Sequence, residues 1–138
     1  MGADLFNGDL SMWDTSAVAD MSLMFQCALT FKGIGLSSWD TSSVTTLFAA
    51  FEEAGSFIGN ISTFDTSNVI DMQRTFQYAS SFNSDISQWN VSKVMSFSYA
   101  FSGASSFNRD LSSWDVSAAN SMIGMVGFWM SINAIRIA

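Results

Sequence analysis

Residues 67–79, SNVIDMQRTFQYA, place apolar side chains at Val69, Met72, Phe76 and Ala79, spacings of 3, 4 and 3. That is one stripe of a short amphipathic helix. Ser67, two residues before Val69, is positioned to cap the free N–H groups of the helix start, helped by Asp65-Thr66 before it. The spacing therefore predicts a helix or tight helical turn. Downstream, FNSDISQW (82–89) leaves room only for a short strand around Ile86 to Trp89, entered through a polar turn at Asn83 to Asp85.

The same unit recurs along the chain, and a period of 20 to 50 residues decides the fold before local structure does. Phe stands at 6, 31, 57, 82 and 107, spaced by 25, 26, 25 and 25. A large aromatic follows at Trp13, Trp39, Phe64, Trp89 and Trp114, with the one extra residue falling in KGIGLSS of the second copy. Ser16, Ser42, Ser67, Ser92 and Ser117 are identical in all five copies. Val18, Val44, Val69 and Val94 form the next column, replaced in the last copy by Ala119. Met21, Leu47, Met72, Phe97 and Met122 continue the unit, then Phe25, Phe51, Phe76 and Phe101, then Ala28, Ala54, Ala79 and Ala104.

One such unit cannot bury its own stripe, so the copies must stack. The expectation is a leucine-rich-repeat-like α/β solenoid over residues 1–138, with repeats starting near 6, 31, 57, 82 and 107. Each of about five 25-residue turns would hold a short parallel strand plus a short helix or helical turn; an all-β solenoid is the alternative. Residues 118–138 are read as an atypical apolar C-terminal turn or cap. The aromatic columns would repeat at about 4.8 Å per turn if the strands pair in parallel.

Composition narrows the function. At 138 residues, 49% hydrophobic and 12% charged, the chain is long enough for one core and too poor in charge for disorder. Twelve acids against five scattered bases give a net charge of -7, which repels a phosphate backbone, so nucleic acid is set aside. There is no His and only one cysteine, Cys27, so a disulfide within the chain, a Cys/His zinc set and a His-based triad are excluded. The most apolar segment, 122 to 137, is interrupted by Ser131, Asn133 and Arg136 and falls short of the roughly twenty residues of a membrane span.

The repeat F-N-x-D-[IL]-S-x-W-[DN]-[TV]-S-x-V-x-x-M-x-x-x-F-x-x-A resembles the 25-residue repeat of the BspA-like leucine-rich-repeat surface proteins over residues 6 to about 122. The resemblance implies a leucine-rich-repeat-like solenoid, an extracellular or cell-surface location, an adhesive or protein-binding role and no catalytic residues. Copies three and four fit best. Copy two departs at KGIGLSS, and copy five loses its Val, Phe and Ala columns to Ala119, Val126 and Trp129.

Asp14, Asp40, Asp65, Asn90 and Asp115 make an acidic ladder, and Asp9, Asn60, Asp85 and Asp110 a partial second one. Calcium held between turns would need six to eight converging oxygens, and no EF-hand or glycine-rich calcium repeat is present. Asp and Asn are also the residues that close turns, which is the reading adopted; no metal or cofactor is assigned. The serine columns are likewise read as caps and packing, ahead of hydroxyl chemistry or an ice-binding array. The sequons Asn60-Ile61-Ser62 and Asn90-Val91-Ser92 fall within the repeat pattern and are read as coincidence.

Function in such a stack belongs where the copies differ. The residues five and nine after the Val read Leu23 and Cys27, Ala49 and Glu53, Arg74 and Tyr78, Tyr99 and Gly103, on one outward face of the predicted helix. Arg74, Tyr78 and Tyr99 are of the types that dominate binding hot spots and, with the acid pair Glu52 and Glu53, are the candidate contact residues. Cys27 on the same face is read as inert rather than reactive. The reading is a non-catalytic module for protein or glycan binding. Its alternative is a structural spacer or subunit that assembles end to end with no ligand of its own. An enzyme using carboxylates such as Asp85 and Asp110 is a distant third.

Overall fold

The computed structural model of the protein describes residues 4–126. The segment 127–138, including Trp129 and most of the expected C-terminal cap, lies outside the described residues.

The repeats stack, but not as strand plus helix. Among the described residues the only helical element is a single 3-10 turn, Leu36–Ser38, and β pairing is confined to isolated parallel bridges. The bridges Asp20↔Thr46, Thr46↔Asp71, Asp71↔Ser96 and Ser96↔Ser121 join one residue of each coil to its equivalent in the next. Both the α/β solenoid and its all-β alternative are therefore corrected: each coil is a closed series of turns.

The predicted helix fails because of where its amide protons go. In the first coil, Met24, Gln26 and Ala28 donate three residues back, to the carbonyls of Met21, Leu23 and Phe25. The alternate N–H groups of Met21, Leu23, Phe25 and Cys27 leave the coil and donate to Thr46, Phe48, Ala50 and Glu52 of the next, at 2.8 to 3.2 Å. A helix would keep every one of these donors inside itself. Leu23 (φ 62) and Cys27 (φ 57) occupy the third position of their 1→4 turns in the left-handed region, the signature of type II turns. The same conformation recurs at Ala49, Glu53, Arg74, Tyr78, Tyr99, Gly103 and Gly124. Two consecutive type II turns bring inward-facing residues round at spacings of 3 and 4, just as a helix does.

This ribbon makes a discriminating prediction. A glycine placed mid-helix costs about 1 kcal/mol, whereas a non-glycine held in the left-handed region costs roughly 1–2 kcal/mol. Glu53→Gly, at an exposed position with φ 59, is therefore expected to leave the urea midpoint unchanged or raise it. A clear drop would restore the helix.

The rest of each coil is bent by short polar motifs. The Oδ1 of Asp14 accepts the Ser16 N–H at 3.1 Å and its hydroxyl at 2.7 Å, and Val18 N–H closes onto Thr15 O at 2.9 Å. Asp40 with Ser42, Asn60 with Ser62 and Asn90 with Ser92 repeat both side-chain contacts. The repeated serine thus closes an Asx turn rather than capping a helix. Thr15, Thr41 and Thr66 are buried, and their hydroxyls donate to the carbonyls of Asp40, Asp65 and Asn90 one coil on, at 3.0 to 3.1 Å.

Aromatic rings fill the interior. Phe25, Phe51, Phe76 and Phe101 stack at 5.4 to 5.6 Å between centroids. Phe31, Phe57, Phe82 and Phe107 form a second column at 5.4 to 6.1 Å, wider than the 4.8 Å spacing of parallel strands because these rings are offset as well as stacked. Within a coil the two columns touch, most closely at Phe76 and Phe82, 3.9 Å. Trp13, Trp39, Phe64 and Trp89 make a third column at 6.2 to 6.5 Å. The indole N–H groups of Trp39, Trp89 and Trp114 each donate to a carbonyl of the preceding coil, Leu10, Ile61 and Ile86. Each thereby satisfies a buried polar group while burying a large ring.

Candidate binding face

The ribbon of type II turns carries several of the variable residues at the surface, among them Leu23, Glu53, Arg74, Tyr78 and Tyr99, while Ala49 at the same kind of position is buried. Arg74, Tyr78, Tyr99 and Glu53 all occupy such positions. Tyr78 is 55% exposed and Tyr99 39%. Each tyrosine lies against a glycine one coil on. A Cβ on Gly103 would sit 2.4 Å from Cδ1 of Tyr78, and one on Gly124 2.6 Å from Cε1 of Tyr99. The glycines therefore serve twice: they take the left-handed turn and they give the tyrosine rings a flat bed.

Glu52 does not share this exposure. It is 8% exposed, its Oε2 accepts the Gln26 amide at 2.6 Å, and its Oε1 lies 3.9 Å from Nη1 of the half-exposed Arg74. Equivalent positions in three successive coils thus contribute Gln26, Glu52 and Gln77, and Arg74 closes over the middle one. Glu52 is thus buried beneath the half-exposed Arg74 rather than presented at the surface. Glu53 stays exposed and accepts the Cys27 thiol at 3.6 Å. Burial, then the charge of Glu53 and its hydrogen bond, with smaller effects from Glu52 and Asp4, push the Cys27 thiol up, so it is a poor nucleophile.

The acidic ladders face solvent and are engaged in their own turns. Asp14, Asp20, Asp40, Asp65 and Asp115 have carboxyls held below the usual range, chiefly by the hydroxyl and then the N–H of the serine two residues on. In Asp9 and Asp85 the serine N–H acts first. Among the described residues no group of three or more Cys, Asp and Glu converges as a metal cage would require.

The sign of the resulting pH dependence follows from the direction of these shifts. A carboxyl whose folded pKa lies below its unfolded value stabilises the fold above about pH 3.9 and loses that stabilisation as pH falls through the folded value. The thermal midpoint is expected to hold level from about pH 7 to 5 and to drop below about pH 4. A midpoint that rises on acidification would mean that relief of repulsion among the twelve acids outweighs the turns.

No helix among the described residues is long and apolar enough to cross a membrane. The model of the family described as Mycoplasma protein of unknown function, DUF285, matches residues 1–57 and again residues 30–135. The chain belongs to the DUF285 family. The two DUF285 matches overlap at residues 30–57, as a family model built on tandem units does when it slides along an internally repeated chain. Neither a curated protein nor a solved structure matches the chain. Within this DUF285 chain the structure joins Arg74 to Glu52 and seats Tyr78 and Tyr99 on glycines. The hydrogen-bonded pair Gln26 and Glu52 was not foreseen, and its one signal in the sequence is the Gln26, Glu52, Gln77 column.

Proposed function

We propose that this DUF285 chain is a non-catalytic repeat module that binds protein or glycan through its outward turn ribbon, in the manner of a BspA-like surface protein. The observation that carries the reading is the division of labour between columns. Positions that point inward hold the same or similar residues in successive coils, whereas the ribbon positions not fully buried run Leu23, Arg74, Tyr99 and Cys27, Glu53, Tyr78. An exposed arginine near exposed tyrosines is the composition of a binding hot spot. Catalysis finds little support, since the hydroxyls nearest a carboxylate, such as Ser16 on Asp14 at 2.7 Å, face acids too weakly basic to activate them.

The test is binding of the purified chain to arrayed glycans and to a panel of immobilised collagen, fibronectin and mucin. Wild type is expected to bind at least one probe, and the double variant Arg74→Ala, Tyr78→Ala to bind it roughly tenfold or more weakly while melting as wild type does. No binding by wild type, or equal binding by the variant, overturns the reading.

A second reading, a structural subunit joined through the ends of the stack, draws on the first coil. Trp13 is 58% exposed where its column mate Trp39 is 4% exposed, and Leu5, Phe6 and Met12 are exposed beside it.

A further inference from the structure

Four ribbon residues of the second, third and fourth coils meet around one step of the stack. The Glu53 N–H donates to Gln77 O at 2.7 Å, which sets Glu53 level with Tyr78, its equivalent one coil on. The Arg74 N–H donates to Ser98 O at 2.9 Å and sets Arg74 level with Tyr99 in the same way. Arg74 and Tyr78 share the third coil, four residues apart. Two exposed rings are thereby flanked by one guanidinium and one carboxylate. The guanidinium stands 3.9 Å from Glu52, beyond hydrogen-bond distance, so its N–H donors stay open. Among the described residues the Glu53 carboxylate accepts only the Cys27 thiol, a weak donor, at 3.6 Å. Gly103 and Gly124 keep the two rings low against the following coils, which leaves each an outer face.

The chemistry of this patch selects among partners. A peptide strand has no edge to join here, because the N–H groups of Met72, Arg74, Phe76 and Tyr78 already donate to the fourth coil and those of Phe97, Tyr99 and Phe101 to the fifth. An amphipathic helix wants aliphatic anchors in a groove, whereas the exposed ribbon side chains of the third and fourth coils are Arg74, Tyr78 and Tyr99. An anionic ligand meets a chain of net charge -7 and two acids, Glu52 and Glu53, against one Arg74. A neutral sugar meets none of these obstacles. Its pyranose ring carries apolar C–H bonds on one face, which pack on the negative face of an aromatic ring, and its rim of hydroxyls both donates and accepts.

The geometry points to this patch as a site for a neutral glycan of the galactose type, with its C–H face on Tyr78 and the adjoining sugar on Tyr99. The hydroxyls of the first sugar donate to Glu53 and accept from Arg74. This assignment rests on the reading of the ribbon as a binding face and narrows its partner from protein or glycan to glycan.

The test uses the full 138-residue chain and lactose, a neutral sugar ending in galactose, followed by proton NMR. The galactose C–H resonances are expected to move upfield on titration, the mark of an aromatic face against them, and the affinity to be the same in low and high salt. Tyr78→Ala, melting as wild type does, should bind roughly tenfold or more weakly, whereas Tyr78→Phe should retain binding. The upfield shift is read on wild type, so it decides the matter even where Tyr78→Ala does not fold. Sialyllactose, the same sugar with a carboxylate added, should bind no tighter than lactose. No shift, a shift that persists in Tyr78→Ala, or tighter binding of sialyllactose overturns the inference. Mucin, whole and stripped of its glycans, separates this result from the underlying reading. Binding lost on stripping supports the glycan, and equal binding to the stripped polypeptide leaves the binding module standing and overturns the glycan. A wild type that binds neither lactose, nor either form of mucin, nor the other immobilised proteins overturns both.

Discussion

Phe76→Ala is expected to lower the stability of the stack by about 3–5 kcal/mol, the cost of a large cavity in a core that cannot collapse around it. Phe76 is fully buried in the third of five coils. Its ring lies 3.9 Å from Phe82, 5.5 Å from Phe51 and 5.6 Å from Phe101, and a tilted Trp89 covers it at 6.1 Å. Each of these contacts belongs either to the same coil or to a neighbour, so the cavity loosens two interfaces at once. In a protein whose stability sums over nearest-neighbour interfaces, a central lesion of that size separates the coils before it from those after it. Urea denaturation followed by tryptophan fluorescence reads the effect, because Trp13 and Trp39 lie on one side of the lesion and Trp114 on the other. A loss below about 1 kcal/mol would show that the aromatic columns are not the main source of cohesion.

The second large effect is expected where the repeat is interrupted. Gly35 sits in the second copy's extra-residue stretch at φ 89, immediately before the 3-10 turn Leu36–Ser38. A Cβ there would lie 2.2 Å from the Ser11 nitrogen and 2.8 Å from the Leu10 carbonyl carbon, both backbone atoms of the preceding coil. Gly35→Ala therefore combines left-handed strain of roughly 1–2 kcal/mol with overpacking of about 1–3 kcal/mol, and neither can be relieved by a rotamer change. A total loss of about 2–5 kcal/mol is expected, measured as a fall in thermal and urea midpoints. Gly55→Ala is the control: its Cβ would meet only the Ser80 hydroxyl, at 3.7 Å, and the change should be near neutral. Equal losses at the two sites would mean that the coils are not in close backbone contact at Gly35.

These two variants mark what could and could not be read from the sequence. The Phe and Trp columns were legible because a side chain that must lie above its own copy leaves a fixed period, and Phe25 to Phe101 and Trp13 to Trp89 do stack. The Asx turns were legible in kind, since Asp14 and Asn90 precede Ser16 and Ser92 by two residues, though the serines had been read as helix caps. The helix itself was misread because Val69, Met72, Phe76 and Ala79 fit a helical stripe and a run of 1→4 turns equally well. Only the backbone angle at Arg74 and Tyr78 separates the two, and neither residue advertises a positive φ. Its trace lies across copies: the ribbon positions hold Leu, Cys, Ala, Glu, Arg, Tyr and Gly, never Val, Ile or Thr, whose branched Cβ resists that region.

For the candidate face, Tyr78, Tyr99 and Arg74 were chosen for their variability, which does not depend on whether the carrier is a helix or a turn, and all three are exposed. Glu52 was grouped with Glu53 on adjacency alone, but in each turn of the ribbon more than one residue faces inward, and Glu52 is buried next to Phe51 while Glu53 is exposed.

The ribbon's hydrogen bonds between coils also decide how this protein answers a pull. Stretched along the direction in which the coils are stacked, each interface is loaded along its N–H to C=O bonds, and the four or so bonds of one gap share the load. Breaking one gap frees a 25-residue coil, about 80 Å of slack chain, before the next gap feels the tension. Extension should proceed as a sawtooth of evenly spaced events, each absorbing work while the remaining coils stay intact.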